Sequence, residues 1–152
     1  MAEALIRAEL AAAGLSERVS VESAGTGDWH LGDRMDSRAS AELARRGYDG
    51  SAHRARQISR EWLDRFDLVI AMDAANLRDL NRMASGLPGG MAGRIRLFRS
   101  FDPAAPEGAQ VPDPYGGGPD QFAKVFDLSL AAARGLVAGL TAMLAGADTP
   151  GE

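Results

Sequence analysis

The stretch "DLVIAMD", Asp67 to Asp73, decides how this chain is read. Leu68 to Met72 form an unbroken apolar run between two carboxylates, too short for a buried helix and without polar alternation. That is the pattern of a strand covered on both faces, as strands in parallel sheets are. Asp73 then stands where a helix N-cap belongs, directly before "AANLRDLNRMA" (74–84), which carries a helical apolar period. A buried strand running straight into a capped helix is half of a βαβ unit. The next short strand is "RIRLF" (94–98), and a short helix, "REWLDRF" (60–66) with Ser59 as its cap, precedes the central run.

The same alternation continues outward in both directions. "RVSVESA" (18–24) places Val19 and Val21 on one side of a short strand, and "SRASAELARRG" (37–47) reads as a helix with Ala39 and Leu43 on one side and Gly47 closing it. At the start, "MAEALIRAEL" puts Ala2, Leu5, Ile6, Leu10 and Ala13 on one helical stripe, with Gly14 as the stop. That helix has no Ser, Thr, Asp or Asn before it to cap it. Ser100 to Gly118 is a Pro- and Gly-rich loop, and a last helix runs from Pro119 to about Gly146. The expected fold is therefore α/β, an open parallel sheet with helices on both faces joined by right-handed crossovers. Three strands make a thin sheet, so the pattern leads us to expect a further strand before Met1. One domain, 1–146, is expected, with 147–152 ("ADTPGE") a flexible tail.

The bulk numbers exclude several functions. The 152 residues, 45% hydrophobic and 25% charged, suit one domain with a real core. Seventeen Lys and Arg against 21 Asp and Glu leave a net charge of -4, which argues against nucleic acid or an anionic membrane as the main partner. No signal peptide is visible and no apolar run is expected to span a bilayer. Cysteine is absent, so disulfides, thiolate metal sites and a thiol nucleophile are excluded for these residues. Two His without ligand spacing make a zinc site unexpected, so no metal or cofactor is assigned.

In open parallel sheets ligands collect at the carboxyl ends of the strands, so the loops leaving those ends hold the candidates. "GTG" (25–27) fails as a dinucleotide motif, because His30 stands where the third glycine belongs and no helix opens there. Asp113 and Tyr115 lie in "VPDPY", where Pro112 and Pro114 stiffen the backbone around one carboxylate and one ring. That arrangement suits a general acid beside a phosphate-ester or glycosidic oxygen, although read alone a Pro-rich turn with an exposed Asp is the commoner case. Trp29 is either the wall of an aromatic slot or a plug that packs its loop. His53 is a bracing or a basic histidine. Arg54, Arg56 and Arg60 are expected on a solvated face, and Gly116 to Gly118 are compatible with a phosphate approach or with a plain loop.

Taken together, "MAEA" (1–4), "SAGTGDWHLG" (23–32), "HRARQIS" (53–59), "FDLVIAMDAANLRDLNR" (66–82) and "VPDPYGGGPDQF" (111–122) resemble the low-molecular-weight protein-tyrosine phosphatase family, in its order and at its spacings. The resemblance implies the phosphotyrosine protein phosphatase I-like, Rossmann-like three-layer fold. It implies a strand and a phosphate-binding loop (Cys, five residues, Arg, Ser-Pro) before the first helix, and this chain begins just after that position. It implies thiolate attack on phosphorus and a cysteinyl-phosphate intermediate, with Asp113 as general acid and then base. Trp29 and Tyr115 would flank the substrate ring, and Glu3, Ser23 and His53 would brace the phosphate loop. Gly116 stands where the family often has a second Tyr, which would leave one ring wall open.

With no Cys in the sequence, no other residue replaces the nucleophile, and the chain as written is expected to be inactive. Loss of a hydrolase nucleophile costs on the order of 10⁶ in rate. Loss of a central strand would also leave open sheet edges and a poorly folding chain. The leading expectation is a tyrosine phosphatase whose true start lies upstream. The alternative is a non-catalytic phosphatase-like binding module, and an arsenate-reductase-like enzyme ranks below both. The expected partner is a phosphotyrosine protein or small aryl phosphate, with the chain a cytoplasmic monomer or weak dimer.

Overall fold

A computed structural model describes residues 1–27, 30–87 and 93–147. Helix α1 covers Ala2–Ala12, α2 Ser37–Arg45, α3 Arg60–Arg65, α4 Ala74–Ala84 and α5 Pro119–Ala147, with strands β1 Val69–Ala71 and β2 Ile95–Leu97. A 3₁₀ turn, Phe98–Phe101, follows β2 directly.

The caps fall where the side chains dictate. The Asp36, Ser59 and Asp73 side chains accept from the backbone N–H of Arg38, Trp62 and Asn76, starting α2, α3 and α4. Helix α1 has no such cap at Met1. It ends in a double closure: the Leu15 N–H donates to Leu10 O at 2.8 Å and the Gly14 N–H to Ala11 O at 3.1 Å. Gly14 takes φ +71° there, which a side chain would resist, and Leu15 is buried as the closing contact. Ala13, expected on the buried stripe, is exposed because the helix has already turned away.

Strands β1 and β2 pair in parallel, Val69 with Ile95 and Ala71 with Leu97. Alternate residues of the β1 run enter different cores. Leu68, Ile70 and Met72 pack with α1, α5, Leu43 of α2 and Phe98, whereas Val69 and Ala71 pack with Leu63 of α3 and Leu80 and Ala84 of α4. Period-two alternation into two helical layers is what a sheet with helices on both faces requires, and it matches the expected architecture.

The sheet is smaller than its sequence pattern. Among the described residues it has two strands, and 18–24 forms none; the only pairing nearby is an isolated parallel bridge between Gly25 and Gln57. A strand exists only with a ladder partner. Residues 18–24 instead line a cleft of about 540 Å³ whose opposite wall is Leu68, Val69, Ile70 and Met72 of the β1 run. Ile6 of α1 and Leu136, Leu140 and Leu144 of α5 line the same cleft. Ile70 is accordingly half-buried rather than fully covered.

Helix α5 corrects one expectation about apolar runs. It is long and apolar enough to cross a bilayer by length and composition, with one stretch of mean hydropathy 1.6. Its Phe122, Val125, Phe126, Ala132, Ala133, Leu136 and Val137 are instead buried in the protein core, and it packs along α1, α2 and the 3₁₀ turn. It ends at Ala147, and the remainder of the expected tail lies outside the described residues.

Candidate active site

The loop that carries Asp113 is fastened to the carboxyl end of β1. The Val111 N–H donates to Met72 O at 2.8 Å, and Val111 itself is buried in the core. One residue earlier, Gln110 Oε1 accepts from the Ala74 N–H at 2.8 Å, satisfying a free donor in the first turn of α4. The chain then turns outward at Pro112. Asp113 is exposed, and its Oδ1 accepts from the Tyr115 N–H at 3.0 Å, so the carboxylate closes its own turn. The Gly117 N–H donates to Pro114 O at 2.9 Å and tightens that turn further. Tyr115 is 66% exposed. An accessible carboxyl group and an accessible ring thus stand two residues apart on one stiff turn, the group types that proton transfer to an aromatic ester and contact with its ring require.

Glu3, Ser23 and His53 lie together. The Ser23 hydroxyl donates to Glu3 Oε2, the Arg7 Nε–H donates to Glu3 Oε1 at 3.0 Å, and His53 Nδ1 lies 3.4 Å from Glu3 Oε2. Burial pushes the Glu3 carboxyl up, but the hydrogen bonds from Ser23, Arg7 and His53 outweigh it and hold the group below its ordinary value of 4.5. Arg7 also donates to Val21 O, tying α1 to the wall of the cleft. A cavity of about 400 Å³ opens beside this cluster, lined by Ser23, Gly25, Thr26, Gly27, His30, His53, Arg56 and Asn76. Asn76 belongs to the first turn of α4, the turn that Gln110 fastens, so the Glu3–Ser23–His53 cluster and the Asp113 loop lie toward the same end of β1.

Trp29 lies outside the described residues. Arg54 and Arg60 are exposed, as expected of a solvated face, and Arg56 is half-buried, yet each also holds a partner. Arg56 pairs with Glu22 at 2.8 Å and sits over the Trp62 ring, Arg60 donates to Ser85 O at 2.7 Å, and Arg54 donates to Ser51 O at 2.9 Å. Sequence reasoning missed Arg7, Arg38 and Asn76. Arg7 had a readable signal, four residues after Glu3 on the same helix. Asn76 and Arg38 had none that points to a site, since only Asp73 and Asp36 lie near them in sequence and the cavity, Tyr115, Gly117 and Phe122 come from other segments.

The sequence profile of the low molecular weight phosphotyrosine protein phosphatases matches residues 1–145. The chain belongs to this family. It is 46% identical over 147 residues to a low molecular weight protein-tyrosine-phosphatase of Streptomyces coelicolor, covering 96% of this chain and 88% of that protein. Low molecular weight protein-tyrosine phosphatase A of Mycobacterium bovis is 40% identical over 137 residues, 90% of this chain and 80% of its own length. Among solved structures, YfkJ of Bacillus subtilis superposes with a TM-score of 0.82 at 31% identity, over 93% of this chain and 86% of YfkJ.

Proposed function

We propose that this domain hydrolyses aryl phosphate monoesters, phosphotyrosine in proteins above all, with Asp113 as the proton-transfer group and Tyr115 as a wall for the substrate ring. The observation that carries the reading is the Asp113–Tyr115 turn, exposed yet fastened through Val111 to the end of β1. In the chemistry implied by the family resemblance, a thiolate forms an S–P bond as the P–O bond to the phenol breaks, and Asp113 gives its proton to the departing oxygen. Water then attacks phosphorus while the Asp113 carboxylate takes its proton, and the S–P bond breaks to release phosphate and restore the thiolate.

No thiolate is available among the 152 residues. We propose that it is carried on a strand and loop preceding Met1, the strand filling the cleft between 18–24 and β1. Three features support this: the largely apolar lining of the cleft, the flanking Val19 and Val21 with no ladder partner among the described residues, and a Glu3–Ser23–His53 cluster suited to bracing a neighbouring loop. The second reading, a non-catalytic binding module, is favoured by the absence of cysteine alone. A cytoplasmic monomer or weak dimer remains our proposal for location and assembly.

The discriminating experiment is hydrolysis of a phosphotyrosine peptide by the protein isolated from its own cells, alongside Asp113→Ala. Turnover that falls in the variant supports the enzyme; peptide binding without turnover supports the binding module.

A further inference from the structure

We propose that Arg38 is the positioning residue of the ring-binding turn, with its guanidinium, anchored by Asp36, fixing where Tyr115 stands. The bearing on catalysis rests on the phosphatase reading above, whereas the clamp itself rests on geometry.

Tyr115 is two-thirds exposed, so ordinary packing does little to fix its ring. The hydrogen bonds of its turn, Asp113 to the Tyr115 N–H and Pro114 O to the Gly117 N–H, are all local and let the turn swing as a unit. Arg38 is the long-range contact. Its Nε and Nη2 donate to the two oxygens of Asp36 at 3.1 and 2.8 Å, which holds the planar fork in one orientation. The same Asp36 caps α2 through the Arg38 N–H at 2.8 Å, so the anchor is fixed to the helix. With the fork so placed, Cζ lies 5.5 Å from the centre of the Tyr115 ring and 4.7 Å from that of Phe122, and Nη1 reaches Gly117 O at 3.4 Å.

Phe122 is buried in the first turns of α5. Arg38 therefore joins three segments: the start of α2, the start of α5, and the turn that carries the exposed ring. A surface arginine that merely pairs with a neighbouring carboxylate would contribute little. This one uses its planar faces and its remaining N–H on the turn as well, a combination that lysine cannot reproduce.

The test compares wild type with Arg38→Ala, Arg38→Lys and Asp36→Asn, the last keeping a capping side chain while weakening the anchor. Hydrogen exchange is read at the Tyr115 and Gly117 amides, with the Val69 amide, bonded to Arg94 O, as an internal control for global stability. Arg38→Ala is expected to speed exchange at Tyr115 and Gly117 by ~3- to 10-fold while Val69 is unchanged, and Arg38→Lys to give no rescue. Unchanged exchange at Tyr115 and Gly117, equal acceleration at Val69, or full rescue by lysine would each overturn the clamp.

In the form of the protein that hydrolyses phenyl phosphate, Arg38→Ala should raise KM by a similar factor and leave kcat close to wild type. A lowered kcat with unchanged KM would overturn the positioning role. If no form hydrolyses the ester, the phosphatase reading fails, while the exchange result still decides the clamp.

Discussion

The Val111 amide and the Met72 carbonyl, 2.8 Å apart, join the Asp113 loop to the carboxyl end of β1. Two residues beyond this bond comes Asp113, so the carboxylate inherits its position from β1 although its own side chain is in solvent. A residue held this way can act as an acid without being buried. Its replacement should therefore damage chemistry and spare the fold.

Asp113→Ala should lower kcat for phenyl phosphate by ~10²–10⁴-fold in the hydrolysing form of the protein, and much less for a nitrophenyl ester whose phenolate leaves without a proton. Steady-state kinetics on the two esters reads this directly. Equal losses on both would remove Asp113 from the acid role. The melting temperature should barely move.

Glu3 predicts a pH-dependent stability. Its folded pKa is lowered, so its contribution is fully present above the ordinary value of 4.5 and is lost as pH falls through the lower, folded value. At neutral pH, Glu3→Gln should destabilise the fold by ~1–3 kcal/mol, the range for a hydrogen-bonded charged group. The difference between wild type and variant should shrink as denaturation curves are repeated below pH 4.5. A difference that stays constant with pH would show that the Ser23 and Arg7 bonds do not depend on the charge.

Gly135 permits the closest approach in the core. A Cβ there would stand 1.8 Å from the carbonyl oxygen of Phe101, a backbone atom that cannot turn aside. Gly135→Ala should force α5 away from the 3₁₀ turn and cost ~1–3 kcal/mol or more. For a domain of this size Tm would drop ~2–4 °C per kcal/mol. A thermal melt indistinguishable from wild type would contradict the packing.

Gly116 and Gly117 should behave oppositely. Nothing lies within 4 Å of a Cβ on Gly116, so Gly116→Tyr should change stability by under ~0.5 kcal/mol and add a second ring beside Tyr115, lowering KM for aryl phosphates. A Cβ on Gly117 would meet Gln121 Cγ at 2.4 Å and Cβ at 2.7 Å. Gly117→Ala should therefore push the turn off the start of α5 and raise KM. Identical kinetics for the two variants would contradict this account of the turn.

Much of the fold was legible because its signals are local. Ser59 and Asp73 announce helices by capping them, Gly14 announces a stop, and the unbroken Leu68–Met72 run announces a strand whose two faces meet two helical layers. The strand expected at 18–24 was not realised, because a strand is a pairing and Val19 and Val21 face a cleft instead of a partner. The 3₁₀ turn at Phe98–Phe101 was missed since its two Phe residues fit a strand or a loop equally well. In the candidate site, the Pro-flanked turn singled out Asp113 and Tyr115, and the family resemblance pointed to Glu3, Ser23 and His53. Arg38 could not be found, since its partners Gly117 and Phe122 are distant in sequence and aromatic contacts leave no motif.

The most direct test of the central claim is the intact mass of the protein from its own cells, measured before and during turnover of a phosphotyrosine peptide. The account predicts a product longer than these 152 residues, carrying a cysteine that becomes phosphorylated during turnover and releases inorganic phosphate. A product of these residues alone, with neither a phosphorylated intermediate nor released phosphate, would contradict it.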